Sequence, residues 1–300
     1  MIYDIIIVGL GIAGINASIY AKRSGLNVLV FEQETPGGLL NKIDLIENFP
    51  GYINISGPDL ATKLYEQFSH LNIPLKIENV LKIENDKNYK SVITKNNIYK
   101  SKTVIIATGR RPKRLNILNE EKLVGKGISY CHLCDGNLYR NKPVAVVGGG
   151  NSAVSGAIYL SNICSKVYLI VRKPYLIADK IYQQKLVSLE NVEILYENNI
   201  KSFVEKDGVL NKVILSDREL SINCVFIDIG YEPNNSLCKD LNILDDNGHI
   251  DVDCDMQTRI PGIFACGDIV NKSVYQLITA SSDGAMAAVS ASKYINLKKL

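Results

Sequence analysis

A glycine-rich turn that occurs twice, each time between an apolar strand and a helix, constrains this chain more than any other feature. In the first copy, residues 4–8 are apolar on both faces, the pattern of a buried parallel strand. Gly9-Leu10-Gly11-Ile12-Ala13-Gly14 follows as G-x-G-x-x-G, and helical spacing then runs to about Ser24, with Gly25 as its stop. A second strand over 27–31 ends at Glu32. In the second copy the strand is 144–147 and Gly148-Gly149-Gly150-Asn151-Ser152-Ala153 gives G-x-G-x-x-A. A helix follows to about Asn162, and a strand over 167–171 ends at Arg172-Lys173. Each copy continues through a meander to a closing strand. The first meander turns at Asn96-Asn97 and closes over 103–107 before Thr108-Gly109; the second turns at Asp207-Gly208 and closes over 225–229 before Gly230. Strand, turn, helix and strand, repeated, specify an α/β chain built on parallel sheets.

The turns carry a chemical meaning. Glycines let the chain reverse tightly and bring a pyrophosphate against a helix N-terminus, whose free N–H groups favour anions. The acid at the tip of the second strand, Glu32, suits a free ribose 2′-hydroxyl, as in the adenosine half of FAD or in NAD. The cations at the same place in the second copy, Arg172 and Lys173, suit a 2′-phosphate; a solvated basic pair is the alternative reading.

Between the two copies lies Cys131-His132-Leu133-Cys134-Asp135-Gly136. Cysteines three apart share one side of a helical turn, so their sulfurs can close a small ring. Such a pair stores two electrons as a dithiol and releases them on forming a disulfide, with a thiolate as the attacking species. His132 is a group able to stabilise a thiolate, and Asp135 one able to shuttle a proton. A structural zinc site would need a fourth ligand from a second close pair, and the other cysteines (Cys164, Cys224, Cys238, Cys254, Cys266) stand singly. Haem attachment would need a histidine where Asp135 stands. No metal is expected.

Composition narrows the remaining classes. A net charge of +3 over 300 residues, without a basic block, does not point to nucleic acid. No apolar run approaches a membrane span, and the apolar start lacks a basic leader and is broken by Gly9, Gly11 and Gly14. Seven scattered cysteines read as reduced thiols, so a cytoplasmic location is expected.

Further pieces complete the pattern. Gly37-Gly38 and Asn48-Phe49-Pro50-Gly51 are turn-rich and are expected to form a loop over a cofactor. Residues 59–71 have helical spacing; 263–265 read as a short strand before Cys266-Gly267-Asp268; and 274–295 read as a long helix rich in Ala and Ser. With Ile46-Glu47-Asn48-Phe49-Pro50-Gly51, Ala107-Thr108-Gly109, Pro261-Gly262-Ile263-Phe264 and Gln276 in this order, essentially the whole chain resembles the low-molecular-weight thioredoxin reductases. These are flavin-dependent disulfide reductases.

The resemblance implies two Rossmann-like domains, the second inserted in the first. The FAD domain would be 1–113 with 244–300, and the NADPH domain, carrying the cysteine pair, 114–243. It further implies an NADPH-dependent thioredoxin-disulfide reductase that acts as a homodimer on thioredoxin or a thioredoxin-like protein. FAD would be held by Gly9, Gly11, Ala13, Gly14, Glu32, Gly38, Leu39, Asn48, Thr108, Gly109, Gly267, Asp268 and Gln276. NADPH would be held by Gly148, Gly150, Asn151, Ser152, Ala153, Arg172 and Lys173. By the same resemblance Cys134 exchanges electrons with the flavin, Cys131 attacks the substrate disulfide, and Asp135 moves the proton. Domain rotation about hinges near 111–115 and 241–246 would let both partners reach the flavin.

The chain departs from the family in four places. Lys173 replaces an arginine and Ile177 another, which weakens planar bidentate grip on a 2′-phosphate. Ser155-Gly156 stand where two acids are usual, and His132-Leu133 where the ring normally holds small residues. These departures leave open a second reading, in which ferredoxin or another donor supplies the electrons.

Overall fold

The computed structural model describes residues 1–43 and 45–297. It divides into two compact units, Met1–Arg111 with Pro233–Leu300, and Pro112–Glu232. The last residues of the expected C-terminal segment, 298–300, lie outside the described residues.

In the first unit Ile2–Val8 is central, with Val28–Glu32 and then Leu75–Ile77 parallel on one side. On the other side runs the long strand Ile98–Ile106, also parallel. Its first half pairs antiparallel with Lys90–Thr94, which pairs with Val80–Asn85; its second half pairs parallel with Ile263–Ala265. Consecutive isoleucines at 5, 6 and 7 are all fully buried because both faces are covered. Ile5, Ile7, Val28, Val30 and Ile105 face the helices Ile12–Arg23 and Leu277–Leu297. These helices nearly touch: a Cβ on Gly284 would stand 2.2 Å from the Ala13 carbonyl oxygen.

Ile6, Val8, Leu29, Phe31 and Val104 face the other way, onto Leu237, Cys238, Leu241 and Ile243. The stretch 233–243, which the sequence reading places with the inserted part, therefore packs on the first unit. Apolar residues spaced along the 3-10 helix Ser236–Leu241 and at Ile243 close a sheet face that would otherwise meet water.

The second unit holds a parallel sheet in the order Val192–Tyr196, Lys166–Val171, Pro143–Val147, Cys224–Ile227, Ile128–Ser129. The chain builds outward from Pro143–Val147 in one direction, then returns to place Cys224–Ile227 on the other side. This reversal makes a crevice at the carboxyl ends of those two strands, the usual place for a ligand in such sheets. The helix Asn151–Ser161 covers one face. A three-stranded meander, Ser202–Lys206, Val209–Ile214 and Glu219–Ser221, helps cover the other. Its hairpin turns at Asp207 and Gly208, both at positive φ (54° and 79°), as a two-residue turn matched to strand twist requires. No helix among the described residues is long and apolar enough to cross a membrane.

Candidate functional site

The three glycines of the first turn do three different jobs. Gly9 has φ +100°, and a Cβ there would stand 2.4 Å from the Ala107 carbonyl oxygen. A Cβ on Gly14 would stand 1.9 Å from the Gly9 oxygen, so this glycine lets the helix lie against the turn. Gly11 is unlike both: among the described residues the only atom a Cβ would meet is the Gly37 oxygen, at 4.0 Å. It precedes helix Ile12–Arg23, which has no side-chain cap. An open side and uncapped N–H groups make a place for an anion.

Glu32 is buried at the tip of its strand. Its Oε2 accepts from the Leu10 N–H at 2.7 Å, and its Oε1 accepts from the Gln33 and Glu34 N–H groups at 2.8 and 3.0 Å. Gly38, at φ +55°, opens the 3-10 helix Gly38–Lys42 that contains Leu39. Thr108 Oγ1 donates to the Asn234 carbonyl at 2.8 Å, and Asn234 N–H donates to the Gly109 carbonyl at 2.9 Å. Asn48 and Gln276, 228 positions apart, meet through a 3.1 Å bond from Asn48 Nδ2 to Gln276 Oε1. The Gln276 carbonyl accepts from the Ala280 N–H, so this residue opens helix Leu277–Leu297.

Gly267, at φ +79°, leaves only 2.7 Å between a Cβ and Ala13 Cβ, which brings Asp268 close to the first helix. Asp268 Oδ1 is buried without a hydrogen-bond partner; Lys272 Nζ lies 3.6 Å away. Burial raises the Asp268 carboxyl above its usual range, against the pull of the Lys272 and Arg110 cations. Sequence reasoning missed this surround. Lys272 Nζ also donates to Asp283 Oδ2 at 2.7 Å, Arg110 stacks 4.3 Å over the Tyr275 ring, and Tyr275 Oη lies 3.1 Å from His249 Nε2. The one available signal was Lys272 standing four residues after Asp268.

The second turn repeats the plan. Gly148 has φ +142°, with a Cβ 2.2 Å from the Asp228 carbonyl oxygen. Gly150 precedes helix Asn151–Ser161, again without a side-chain cap. Asn151 and Asp179 bond reciprocally: Asn151 Nδ2 donates to Asp179 Oδ2 at 2.9 Å, and Asp179 N–H donates to Asn151 Oδ1 at 2.7 Å. Ser152 Oγ donates to Asp228 Oδ1 at 2.9 Å, and Ala153 is fully buried. The N–H groups of Ile177 and Ala178 both donate to the Gly149 carbonyl, at 2.8 and 3.1 Å, which pins that segment over the turn. A Cβ on Gly150 would lie 3.9 Å from the Ile177 side chain, which is 64% exposed. Arg172 and Lys173 are exposed, and Lys173 Nζ sits 5.3 Å over the Tyr175 ring.

Cys131 and Cys134 form a disulfide, with Cα atoms 5.3 Å apart. The turn that carries them follows the edge strand Ile128–Ser129. Ser129 Oγ holds its start, accepting from the Cys131 N–H at 3.0 Å and donating to the Cys131 carbonyl at 3.2 Å. Cys134 N–H donates to Cys131 Sγ at 3.1 Å, and Asp135 N–H to the Cys131 carbonyl at 3.2 Å. Cys131 is buried, Cys134 exposed, and Asp135 intermediate. His132 Nδ1 lies 3.2 Å from Asp228 Oδ2.

Four of the other thiols are inert by environment. Burial pushes Cys164 up to about 11 and Cys238 up to about 12, and raises Cys224 and Cys266 as well. Cys254 is exposed. Alkylation of the folded disulfide form is expected to label Cys254 alone, and prior mild reduction to add Cys131 and Cys134. Mass analysis of the peptides checks this; label on Cys224 or Cys266 before unfolding contradicts their burial.

The comparisons agree with this geometry. A family profile described as pyridine nucleotide-disulphide oxidoreductase matches residues 3–285. The chain is 42% identical to a thioredoxin reductase of Ureaplasma parvum, over 98% of this chain and 97% of that one. It is 36% identical to the thioredoxin reductase of Lactococcus lactis, with a TM-score of 0.91 over 98% of this chain and 99% of that one. A ferredoxin-flavin thioredoxin reductase of Clostridium acetobutylicum is 32% identical, with a TM-score of 0.57 over 100% of this chain and 99% of that one. Paired nucleotide turns, a disulfide in the second unit and full-length similarity lead to one placement: the chain belongs to the pyridine nucleotide-disulphide oxidoreductase family, among the low-molecular-weight thioredoxin reductases.

Proposed function

We propose that this protein is an NADPH-dependent thioredoxin-disulfide reductase. The observation that carries the reading is the disulfide Cys131–Cys134 on the same unit as the second nucleotide turn. FAD, when bound, carries two electrons from the nicotinamide donor to that disulfide. The first unit suits FAD. The open side at Gly11 and the uncapped helix behind it accept a pyrophosphate, and the unpartnered Asp268 Oδ1 accepts from a hydroxyl. The turn at 148–153 takes the NADPH pyrophosphate, with Arg172 and Lys173 toward its 2′-phosphate.

In the reduced protein the Cys131 thiolate attacks the thioredoxin disulfide, forming a mixed disulfide and expelling one thioredoxin thiolate. Cys134 then attacks Cys131 Sγ, re-forms the internal disulfide and expels the second. Asp135 passes the proton to the departing sulfur. Location is cytoplasmic. The protein works as a homodimer, a reading supported by exposed Tyr20, Ile278, Met286 and Val289 on the helices Ile12–Arg23 and Leu277–Leu297.

A second reading, with ferredoxin or another donor, is favoured by Ile177 standing over Gly150 where a cation would grip the 2′-phosphate. Anaerobic titration of the flavoprotein with NADPH, NADH and reduced ferredoxin decides. Rapid flavin bleaching by NADPH supports the first reading; bleaching by ferredoxin alone overturns it. Ile177→Arg is expected to tighten NADPH binding about tenfold while leaving NADH unchanged, since a guanidinium adds a charged bond to the 2′-phosphate. Equilibrium binding of the two nucleotides measures it; equal gains for both refute the placement of residue 177.

A further inference from the structure

The cysteine-bearing turn is too short to hold itself. Its helix, His132–Asp135, is four residues long, far below the length at which an isolated helix persists in water. In the disulfide form the Cys131–Cys134 bond closes the turn. In the dithiol form that bond is gone; the backbone keeps the two cysteines near each other, and non-covalent contacts hold the turn in the shape that faces their sulfurs together.

The contact that reaches furthest from the turn runs through His132. Its Nδ1 stands 3.2 Å from Asp228 Oδ2, and the two side chains are only 11% and 8% exposed. A carboxylate only accepts, so Nδ1 carries the hydrogen. The other carboxylate oxygen accepts from Ser152 Oγ at 2.9 Å. The imidazole lies directly on Gly156, where a Cβ would be 2.8 Å from Nδ1 and 3.1 Å from both Cγ and Cε1. Tyr159, on the same helix, sets its ring centroid 6.0 Å from the imidazole. Asp228 directly follows strand Cys224–Ile227. One carboxylate thus ties the cysteine turn to the first turn of helix Asn151–Ser161. The two family departures, a histidine inside the cysteine ring and a glycine on the helix, are halves of one contact.

We propose that Asp228 is a positioning residue for the Cys131/Cys134 pair, acting through His132 seated on Gly156. The latch holds the turn in its closed shape whether or not the sulfurs are bonded. The inference rests on the redox role proposed above. Its consequence is read in the exchange with glutathione. One thiolate of the pair attacks glutathione disulfide, breaking that S–S bond and releasing a glutathione thiolate. The second thiolate attacks the protein sulfur of the mixed disulfide, forming the Cys131–Cys134 bond and releasing the second glutathione. The pair loses two electrons, glutathione disulfide gains them, and the two thiol protons pass to glutathione. The closing step costs the freedom lost in bringing the sulfurs together, and a latched turn has less to lose.

The test equilibrates the full-length flavoprotein anaerobically with glutathione buffers, followed by acid quench, alkylation and mass analysis of the pair. Asp228→Ala and His132→Ala are each expected to lower the disulfide-forming constant about tenfold, equivalent to about 30 mV for a two-electron couple. The double variant falls no further than either single, because all three lack the same contact. Gly156→Ala is the independent probe. It puts a methyl group where the ring sits, while alanine is the better helix former. The constant falls as in the other variants and thermal stability holds or rises. A merely structural role would lower the melting temperature and leave the constant unmoved. Variants with the wild-type constant overturn the proposal, as does a double variant that falls by the product of the singles. A wild-type pair that no thiol reduces overturns both this inference and the redox role beneath it, whereas unchanged variants of a reducible pair overturn the inference alone.

Discussion

Cys131→Ser is expected to abolish turnover of a thioredoxin disulfide, by on the order of a thousandfold or more, while flavin reduction by the donor proceeds at the wild-type rate. The serine hydroxyl neither forms a mixed disulfide nor closes one with Cys134. On the proposed reading the donor is held by the turn at 148–153, ahead of helix Asn151–Ser161, and residue 131 has no part in holding it. Stopped-flow bleaching of the flavin and steady-state turnover measure the two halves separately. Loss of both places Cys131 in the donor half and sinks the assigned role. The burial of Cys131 and exposure of Cys134 make the companion variant informative. In Cys134→Ser, a stable mixed disulfide with thioredoxin is expected on Cys131. A mixed disulfide that forms only when Cys131 is the residue replaced would exchange the two roles.

The second large effect separates the glycines of the first turn. Gly14→Ala places a methyl carbon 1.9 Å from the Gly9 carbonyl oxygen, a contact only backbone movement relieves. A loss of about 3 kcal/mol is expected, with a fall in melting temperature of about 5–10 °C and a colourless preparation. Gly11→Ala meets nothing closer than 4.0 Å, and its φ of −72° suits alanine. Its apoprotein is expected to melt like the wild type, yet to bind FAD about 30-fold more weakly, because on the proposed reading the methyl would stand where the pyrophosphate approaches the helix. Thermal melts of the apoproteins, paired with flavin titration, check both. Equal damage from the two variants would mean that Gly11 serves packing and not the cofactor.

The contrast also shows what sequence carries. Glycine turns between an apolar strand and a helix are local, and so is a pair of cysteines three apart; spacing alone gave these. The hairpin at Asp207-Gly208 was legible for the same reason. What stayed hidden depends on residues distant in the chain. His132 and Asp228 are 96 positions apart, and no periodicity links them. Gly156 reads as a mild flaw in a helix until the imidazole lying on it is seen. The stretch 233–243 carries only scattered apolar residues, and its allegiance is settled by the uncovered face formed by Ile6, Val8 and Leu29. Lys272 looks like an ordinary surface cation, but Asp268 and Asp283 hold it at 15% exposure.

The close packing of helix Leu277–Leu297 on helix Ile12–Arg23 bears on how the chain is born. The strand Ile2–Val8 leaves the ribosome long before Ile263–Ala265 and the helix Leu277–Leu297, which complete and cover its sheet. At about 5–20 residues per second the first of these elements waits many seconds for the others. The inserted unit, whose strands all lie within 112–232, has its full complement sooner. During synthesis the strand Ile2–Val8 therefore waits for the last strand of its sheet until after every strand of the inserted unit has been made, and a chain stopped before residue 263 holds all the strands of the second unit but an incomplete sheet in the first.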